Sequence, residues 1–335
     1  SYMQGDASAR AYERLTKADG SRAILMISPP RPDGPPIRLG KPYSAVARLA
    51  ENITPFIAVD RALRAQDLSA PEIFACDLKV GVAVLEDLGA EGVVDAGGPI
   101  PDRYSESVAV LAALHARELP EALPVDGGAN YDIPPYDLDA LLIEVDLLVE
   151  WYAPAYSQGP VSAPAREQFE TLWKQALAPV VEGPRTWALR DYHSPNLIWL
   201  PQRDGLKRVG IIDFQDCVMG HPAYDVVSIA QDARVTVSDE LELKLLSRYA
   251  RERRALDASF DMAAFARAYA ALGAQRATKI LGIFARLDKR DGKPHYLAHL
   301  PRVRAYLAKD LAHPALADLK AWFEAHTPDV FAPST

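Results

Sequence analysis

Hydrophobic and polar positions change their rhythm along this chain. Near the start, Ala9 to Thr16 and Ala23 to Ile27 flank Asp19-Gly20, a pair that tolerates the positive φ of a tight turn, so the chain is expected to open on a β-hairpin. Pro29 to Pro42 is too rich in proline for a ladder or a helix and is expected to be an ordered loop. From Pro55 the period becomes helical, with Phe56, Val59, Leu63 and Leu68 on one face before Pro71. "VGVAVLEDL", Val80 to Leu88, predicts a strand ending at Gly89. Thereafter helices dominate: Tyr104 to Arg117, Leu138 to Tyr152, Ala165 to Val181, Asp239 to Arg254, Met262 to Asp288 and Pro301 to Leu311. Two short apolar strands interrupt them, Leu197 to Leu200 and Val209 to Ile212, on either side of a turn at Arg203 to Gly205. The pattern predicts an α+β, two-lobe, protein-kinase-like fold. A small β-rich lobe with one helix would occupy 1–84, a hinge 85–89, and a larger, mainly helical lobe 90–335.

Composition supports two lobes, because a chain of 335 residues with 49% hydrophobic content outgrows a single core. Cys76 and Cys217, far apart, make neither a disulfide framework nor a thiolate cluster, and a reducing cytoplasm is the expected location. No apolar run approaches the roughly 20 residues of a membrane span. A net charge of −8 argues against a nucleic-acid partner, which would need a basic surface.

The chemistry concentrates in "LRDYHSPNLIWL" and, beyond it, Ile212-Asp213-Phe214. Phosphoryl transfer requires a carboxylate beside the attacking hydroxyl and oxygen ligands for magnesium on the departing phosphate. Asp191 and Asn196 have the D-x-x-x-x-N spacing of a catalytic loop, and Asp213, after the apolar "VGII", would be a second metal ligand. Either half alone would pass for a polar turn; both in order, with hairpin strands between them, point to Asp191 as base and to Asn196 and Asp213 as Mg2+ ligands. His193 reads first as a structural hydrogen-bonding group and second as a substrate contact. "GDASAR" would cover phosphates through its backbone, with Gly5, Ser8 and Arg10 as ATP contacts, the alternative being a frayed terminus. Glu86 and Leu88, after the strand, would offer backbone groups to an adenine edge. Met26 stands where a kinase places its phosphate-binding lysine, with Asp60 the best-placed acid on the helix that follows.

With these parts in place, the chain resembles the aminoglycoside phosphotransferase and choline kinase superfamily, and within it the bacterial anomeric N-acetylmuramate/N-acetylglucosamine kinases of cell-wall recycling. "GDASAR", "LEDLG", "RDYHSPN", "IDFQDCVMGHPAYDVVS" and "GIFARLDKRDGKPHYL" carry the resemblance. It implies a magnesium-ATP sugar kinase, with methionine at position 26 a feature of the branch. Asp216 and Asp225 match acidic positions downstream of the metal aspartate, although Asp225 also reads as a helix cap.

The short "DFQDCVMGHP" leaves no activation segment for a peptide acceptor, so a small molecule is expected, an amino sugar in particular. Arg267 to Lys293 contains seven Lys or Arg and two Asp. Gln275, Lys279 and Arg286 fall on one helical face there; a solvated surface is the usual reading of such charges, and an anion-binding wall the functional one. Glu144 and Trp151 share another face and would bond a hydroxyl and stack a sugar ring, or simply pack. An aminoglycoside or choline-type kinase and a nucleotide-binding pseudokinase stay open at this point, and the oligomeric state is not readable.

Overall fold

The computed structural model describes residues 10–333, and residues 2–4 by their backbone. An antiparallel five-stranded sheet opens the fold: β1 (Tyr2–Gln4), β2 (Ala11–Thr16), β3 (Arg22–Ile27), β4 (Ile73–Asp77) and β5 (Val82–Glu86), in the order β1-β2-β3-β5-β4. The expected hairpin is β2–β3, in register from Ala11 opposite Ile27 to Thr16 opposite Arg22, and Gly20 takes φ 82° in its turn. The edge strand β4 escaped the sequence reading; three of its five residues are exposed and two half-buried, so its apolar alternation is weak.

The proline-rich segment, expected as an ordered loop without a ladder, contains a short ladder. Pro36–Arg38 pairs with Lys41–Pro42 around Leu39 and Gly40, both at positive φ. Helix α1 (Tyr43–Val46) follows directly. Proline is accommodated because this two-stranded piece is all edge. Arg38 anchors it across the molecule, donating to Asp146 at 3.2 Å and Glu170 at 3.1 Å.

Helix α2 (Thr54–Ala65) starts with Pro55 in its first turn and buries Phe56, Ile57, Val59 and Leu63. Beyond the sheet come α3 (Pro101–His115), α4 (Leu138–Leu147), α5 (Ala163–Val181), α6 (Ala223–Ala230), α7 (Asp239–Leu256), α8 (Met262–Lys289), α9 (Leu300–Leu311) and α10 (Ala317–His326). The helix expected over 138–152 changes pitch: after Leu147 it widens into a π-turn, Leu148–Tyr152. Trp151 is thereby rotated off the line of Glu144 and packs, half-buried, against the core.

Helix α8 is the spine of this half, and two glycines let neighbours close on it. A Cβ on Gly282 would sit 2.4 Å from the backbone carbon of Leu147, and one on Gly273 would sit 2.3 Å from Asp310 Oδ2. The main core runs from Met26 under the sheet through α2 and into the helices, with a small separate cluster of Val46, Ala47 and Ile143 beside it. At the crossing, Phe56 of α2 stacks on Phe214 with centroids 5.1 Å apart. Such a pair adds about 0.5–1.5 kcal/mol to its area burial, and it ties the sheet's helix to the residue after Asp213. Among the described residues no helix is long and apolar enough to cross a membrane.

Candidate active site

Four short strands, mostly buried, carry the chemical groups to one place. Strand β6 (Thr186–Ala188) pairs antiparallel with β9 (Val218–Gly220), and β7 (Leu197–Trp199) with β8 (Val209–Ile211). Asp191 and Asn196 lie on the loop from β6 to β7, and Asp213 two residues beyond β8. Asn196 Nδ2 donates to the Asp191 carbonyl at 2.9 Å and to Asp213 Oδ2 at 3.3 Å. Residues spaced far apart in sequence thus share one network.

Buried carboxylates hold the loop in shape. Asp225, in the first turn of α6, does not cap its own helix. Its oxygens accept from the backbone N–H of Leu189 at 2.7 Å and of Arg190 at 2.9 Å. Burial raises Asp225 to about 7 while those two hydrogen bonds pull it down. Asp232 Oδ2 accepts from Ser194 N at 2.8 Å and Tyr104 OH at 2.9 Å. Arg190 and Asp213 both take positive φ, 71° and 60°. Side-chain-bearing residues there store of the order of 1–3 kcal/mol each, and the surrounding bonds over-determine the geometry.

The loop floors a cleft of about 830 Å³ beneath the sheet. Asp191, Asn196, Asp213 and Asp216 line one side, Tyr12, Ile24 and Met26 the other, and Glu86 to Ala90 the back. Met26 is fully buried, so the customary lysine position is apolar here. A different cation reaches Asp213: Arg10 Nη2 lies 3.0 Å from Asp213 Oδ1, which also accepts from Gln215 Nε2 at 2.7 Å. Gly5 and Ser8 lie outside the described residues. Leu88 lines the cleft, whereas the Glu86 carboxylate is engaged by Arg203 at 2.6 Å. Asp216 Oδ1 accepts from Ala50 N at 2.7 Å, fastening the segment after α1 over the loop.

Burial, then the charges of Asp213 and Asp216, raises Asp191 to about 7, with Lys279 and Arg190 acting against them. His193 is buried and its pKa is lowered by burial to about 4, so the ring is neutral near pH 7. Its Nδ1 stands 4.0 Å from Asp232 Oδ1, and Nε2 is 3.4 Å from Asn196 Nδ2.

The donor set suits magnesium. An amide oxygen and a carboxylate are hard ligands, and the cationic Arg10 already sits on Asp213. Among the described residues no group of three or more His, Cys, Asp or Glu could hold a metal by itself. Magnesium held through one or two protein oxygens and the phosphates of a nucleotide needs no such cage.

The expected acceptor wall is corrected by burial. Glu144 is 2% exposed and Gln275 fully buried. Glu144 Oε2 receives Arg190 at 2.9 Å and Lys279 at 3.2 Å; Oε1 accepts from Tyr136 OH and, at 3.3 Å, from Gln275 Nε2. Lys279 also donates to Tyr224 OH at 2.6 Å. Glu144, Gln275 and Lys279 form a buried cluster, in which Gln275 Nε2 also donates to Leu141 O at 3.1 Å and Gln275 Oε1 has no hydrogen-bond partner among the described residues. Trp151 packs rather than facing the cleft floor, and Arg286 lies further along α8 over the ring of Tyr43. None of Glu144, Trp151, Gln275, Lys279 or Arg286 lines the cleft.

Gln215, Asp232 and Arg234 were missed by sequence reasoning. Gln215 and Arg234 line the cleft and Asp232 supports its floor, but no motif spacing marks them.

A family model for the phosphotransferase enzyme family matches residues 2–259. The chain belongs to that family. Over 97% of its length this family member is 43% identical to an N-acetylmuramate/N-acetylglucosamine kinase of Caulobacter vibrioides, 91% of which is covered. It is 30% identical, over 94% of its length and 84% of the relative's, to a kinase of the same name from Pseudomonas putida. In fold the phosphotransferase is similar to a choline kinase of Streptococcus pneumoniae, at 14% identity, 92% coverage of both chains and a TM-score of 0.56. It is also similar to a thermostable mutant of an aminoglycoside phosphotransferase in a ternary complex with ADP and hygromycin B, at 14% identity, 93% and 94% coverage and a TM-score of 0.50. The protein-kinase-like expectation is met: a β-rich N-terminal sheet precedes a mainly helical remainder.

Proposed function

We propose that this phosphotransferase moves the γ-phosphoryl group of ATP to the anomeric hydroxyl of N-acetylmuramate or N-acetylglucosamine. The observation that carries the reaction type is the convergence of Asp191, Asn196 and Asp213 on one cleft floor. The names of the relatives at 43% and 30% identity support the acceptor. The sheet covers the nucleotide, residues 85–89 are the hinge at the back of the cleft, and the part from residue 90 onward carries the catalytic loop and the acceptor site.

Asp191 orients the acceptor hydroxyl and takes its proton; a carboxylate whose proton affinity is raised to about 7 suits that task. Asn196 and Asp213 would hold magnesium, which when bound neutralises charge on the transferring phosphate. Arg10 stands in for the lysine absent at Met26 and would grip phosphate oxygens once it leaves Asp213. Leu88 and the backbone of 86–89 frame the adenine. His193, neutral and buried, holds Asn196 in place rather than carrying a proton. Catalysis of this kind is positioning and electrostatics, worth about 7–11 kcal/mol from orientation alone.

The test is an acceptor panel of N-acetylmuramate, N-acetylglucosamine, choline and kanamycin with magnesium-ATP, the phosphorylated position being read by phosphorus NMR. A sugar 1-phosphate is expected. Turnover of choline or kanamycin alone would overturn the reading.

A further inference from the structure

Arginines line the cleft from two sides. Arg10, Arg14 and Arg31 belong to the sheet and the proline-rich segment; Arg10 lies on Asp213, and Arg14 pairs with Asp87 at 2.9 Å. Arg234 comes from the helical half, on the loop that follows α6. Helix α9 fixes that loop from behind. Arg302 donates to Ala233 O at 3.1 Å and to Thr236 Oγ1 at 2.9 Å, while the Tyr306 hydroxyl accepts from Val237 N at 3.0 Å and donates to Val235 O at 3.2 Å. The same loop is tied to the one that carries Asp191. Arg234 N donates to Asp232 Oδ1 at 2.9 Å, and Asp232 Oδ2 accepts from Ser194 N at 2.8 Å. The Arg234 guanidinium lies 5.3 Å from the centre of the buried Tyr296 ring, a cation–π contact that steadies its plane.

Arg234 is thus held on both sides in sequence and presented to the cleft at a fixed place, where it loses little freedom on meeting a ligand. The cleft floor beside it is acidic. Asp191, Asp213 and Asp216 line the same space, and an acceptor with a negative charge of its own is repelled there unless a cation meets it. Arg10 and the proposed magnesium ligands serve the phosphates. Arg234 stands beyond them, linked through Asp232 to the stretch just after Asp191, and its charge acts on His193 of that stretch. The two proposed acceptors differ in one group: N-acetylmuramate carries a lactyl carboxylate on the ring carbon two places from the anomeric one, and N-acetylglucosamine has a plain hydroxyl there.

We infer that Arg234, braced by α9 and stacked on Tyr296, receives the lactyl carboxylate of N-acetylmuramate, and that N-acetylglucosamine binds without that contact. The inference rests on the proposed sugar-kinase reading and adds a specificity residue to it. A guanidinium fork matches a carboxylate in two parallel hydrogen bonds, which an ammonium does not reproduce.

Initial rates with magnesium-ATP test it, on N-acetylmuramate, its methyl ester and N-acetylglucosamine, with the wild-type protein, Arg234→Met and Arg234→Lys. Arg234→Met is expected to lower the ratio of kcat/KM for N-acetylmuramate to that for N-acetylglucosamine roughly ten- to a hundredfold, through KM, as loss of a charge-assisted bond does. Arg234→Lys keeps the charge without the fork and is expected to recover part of that ratio. The methyl ester has the bulk without the charge. It is expected to show the same deficit with the wild-type protein, a comparison that needs no variant to fold, and no further loss with Arg234→Met. An unchanged ratio in Arg234→Met, whether both sugars slow or neither does, would overturn the subsite while leaving the sugar-kinase reading intact, as would equal wild-type rates on the acid and its ester. Failure of the wild-type protein to phosphorylate either sugar would overturn that reading and the subsite with it.

Discussion

Arg190 and Glu144 form an ion pair at 2.9 Å with each side chain 3% exposed, and the arginine immediately precedes Asp191, the proposed base. Its other guanidinium nitrogen donates to Ala47 O at 2.9 Å and Arg48 O at 3.2 Å, so one side chain links α4, the segment after α1 and the loop that carries Asp191. Removing one partner of a buried pair leaves an uncompensated charge. Glu144→Ala is therefore expected to lower stability by about 3–5 kcal/mol in urea denaturation. The same variant should lose about a hundredfold in kcat, the effect of displacing a reacting group by roughly 1 Å.

Arg10 Nη2 lies 3.0 Å from Asp213 Oδ1, on the carboxylate proposed as a magnesium ligand. Arg10→Ala is expected to raise the affinity for Mn2+ alone, measured by electron paramagnetic resonance, because a competing cation has gone. The KM for ATP should rise about tenfold, since a charged phosphate contact is lost. A variant that binds Mn2+ and ATP as the wild type does would remove Arg10 from the nucleotide site.

Asp60 is fully buried on α2 and neither carboxylate oxygen has a hydrogen-bond partner among the described residues. Burial raises its pKa to about 8, against the pull of Arg64 and Arg61. In the unfolded chain the group ionises near pH 4. The folded state therefore binds the proton more tightly, and stability is full below about pH 4 and lost progressively up to about pH 8. Asp60→Asn should match the wild type near pH 4 and exceed its melting temperature by roughly 3–6 °C at pH 8. A constant difference at all pH values would show that Asp60 is ionised in the fold.

Gly282 admits no side chain, because a Cβ would lie 2.4–2.6 Å from atoms of Leu147. The contact falls where α4 passes into its π-turn. Gly282→Ala is expected to cost about 1–3 kcal/mol, as overpacking does, measured in urea denaturation.

Order along the chain was enough to expect Asp191, Asn196 and Asp213 at one place, where the fold brings them together, and to read the hairpin and the helical half, because these depend on local period. The helix limits at 138, 262 and 311 were legible for the same reason. Only the tertiary structure decided which charges are available. Lys279 and Arg286 look alike on a helical wheel, yet Glu144, more than 130 positions earlier, pairs with the lysine, while the arginine has no ion pair among the described residues. Asp225 reads as a cap and serves instead as the clamp on Leu189 and Arg190. Trp151 left its expected face because a π-turn, Leu148–Tyr152, intervenes just after the close contact of Leu147 with Gly282. Periodicity reports which face a residue is on; its partner across the fold, and so whether its charge is free to act, is settled by packing between segments distant in sequence.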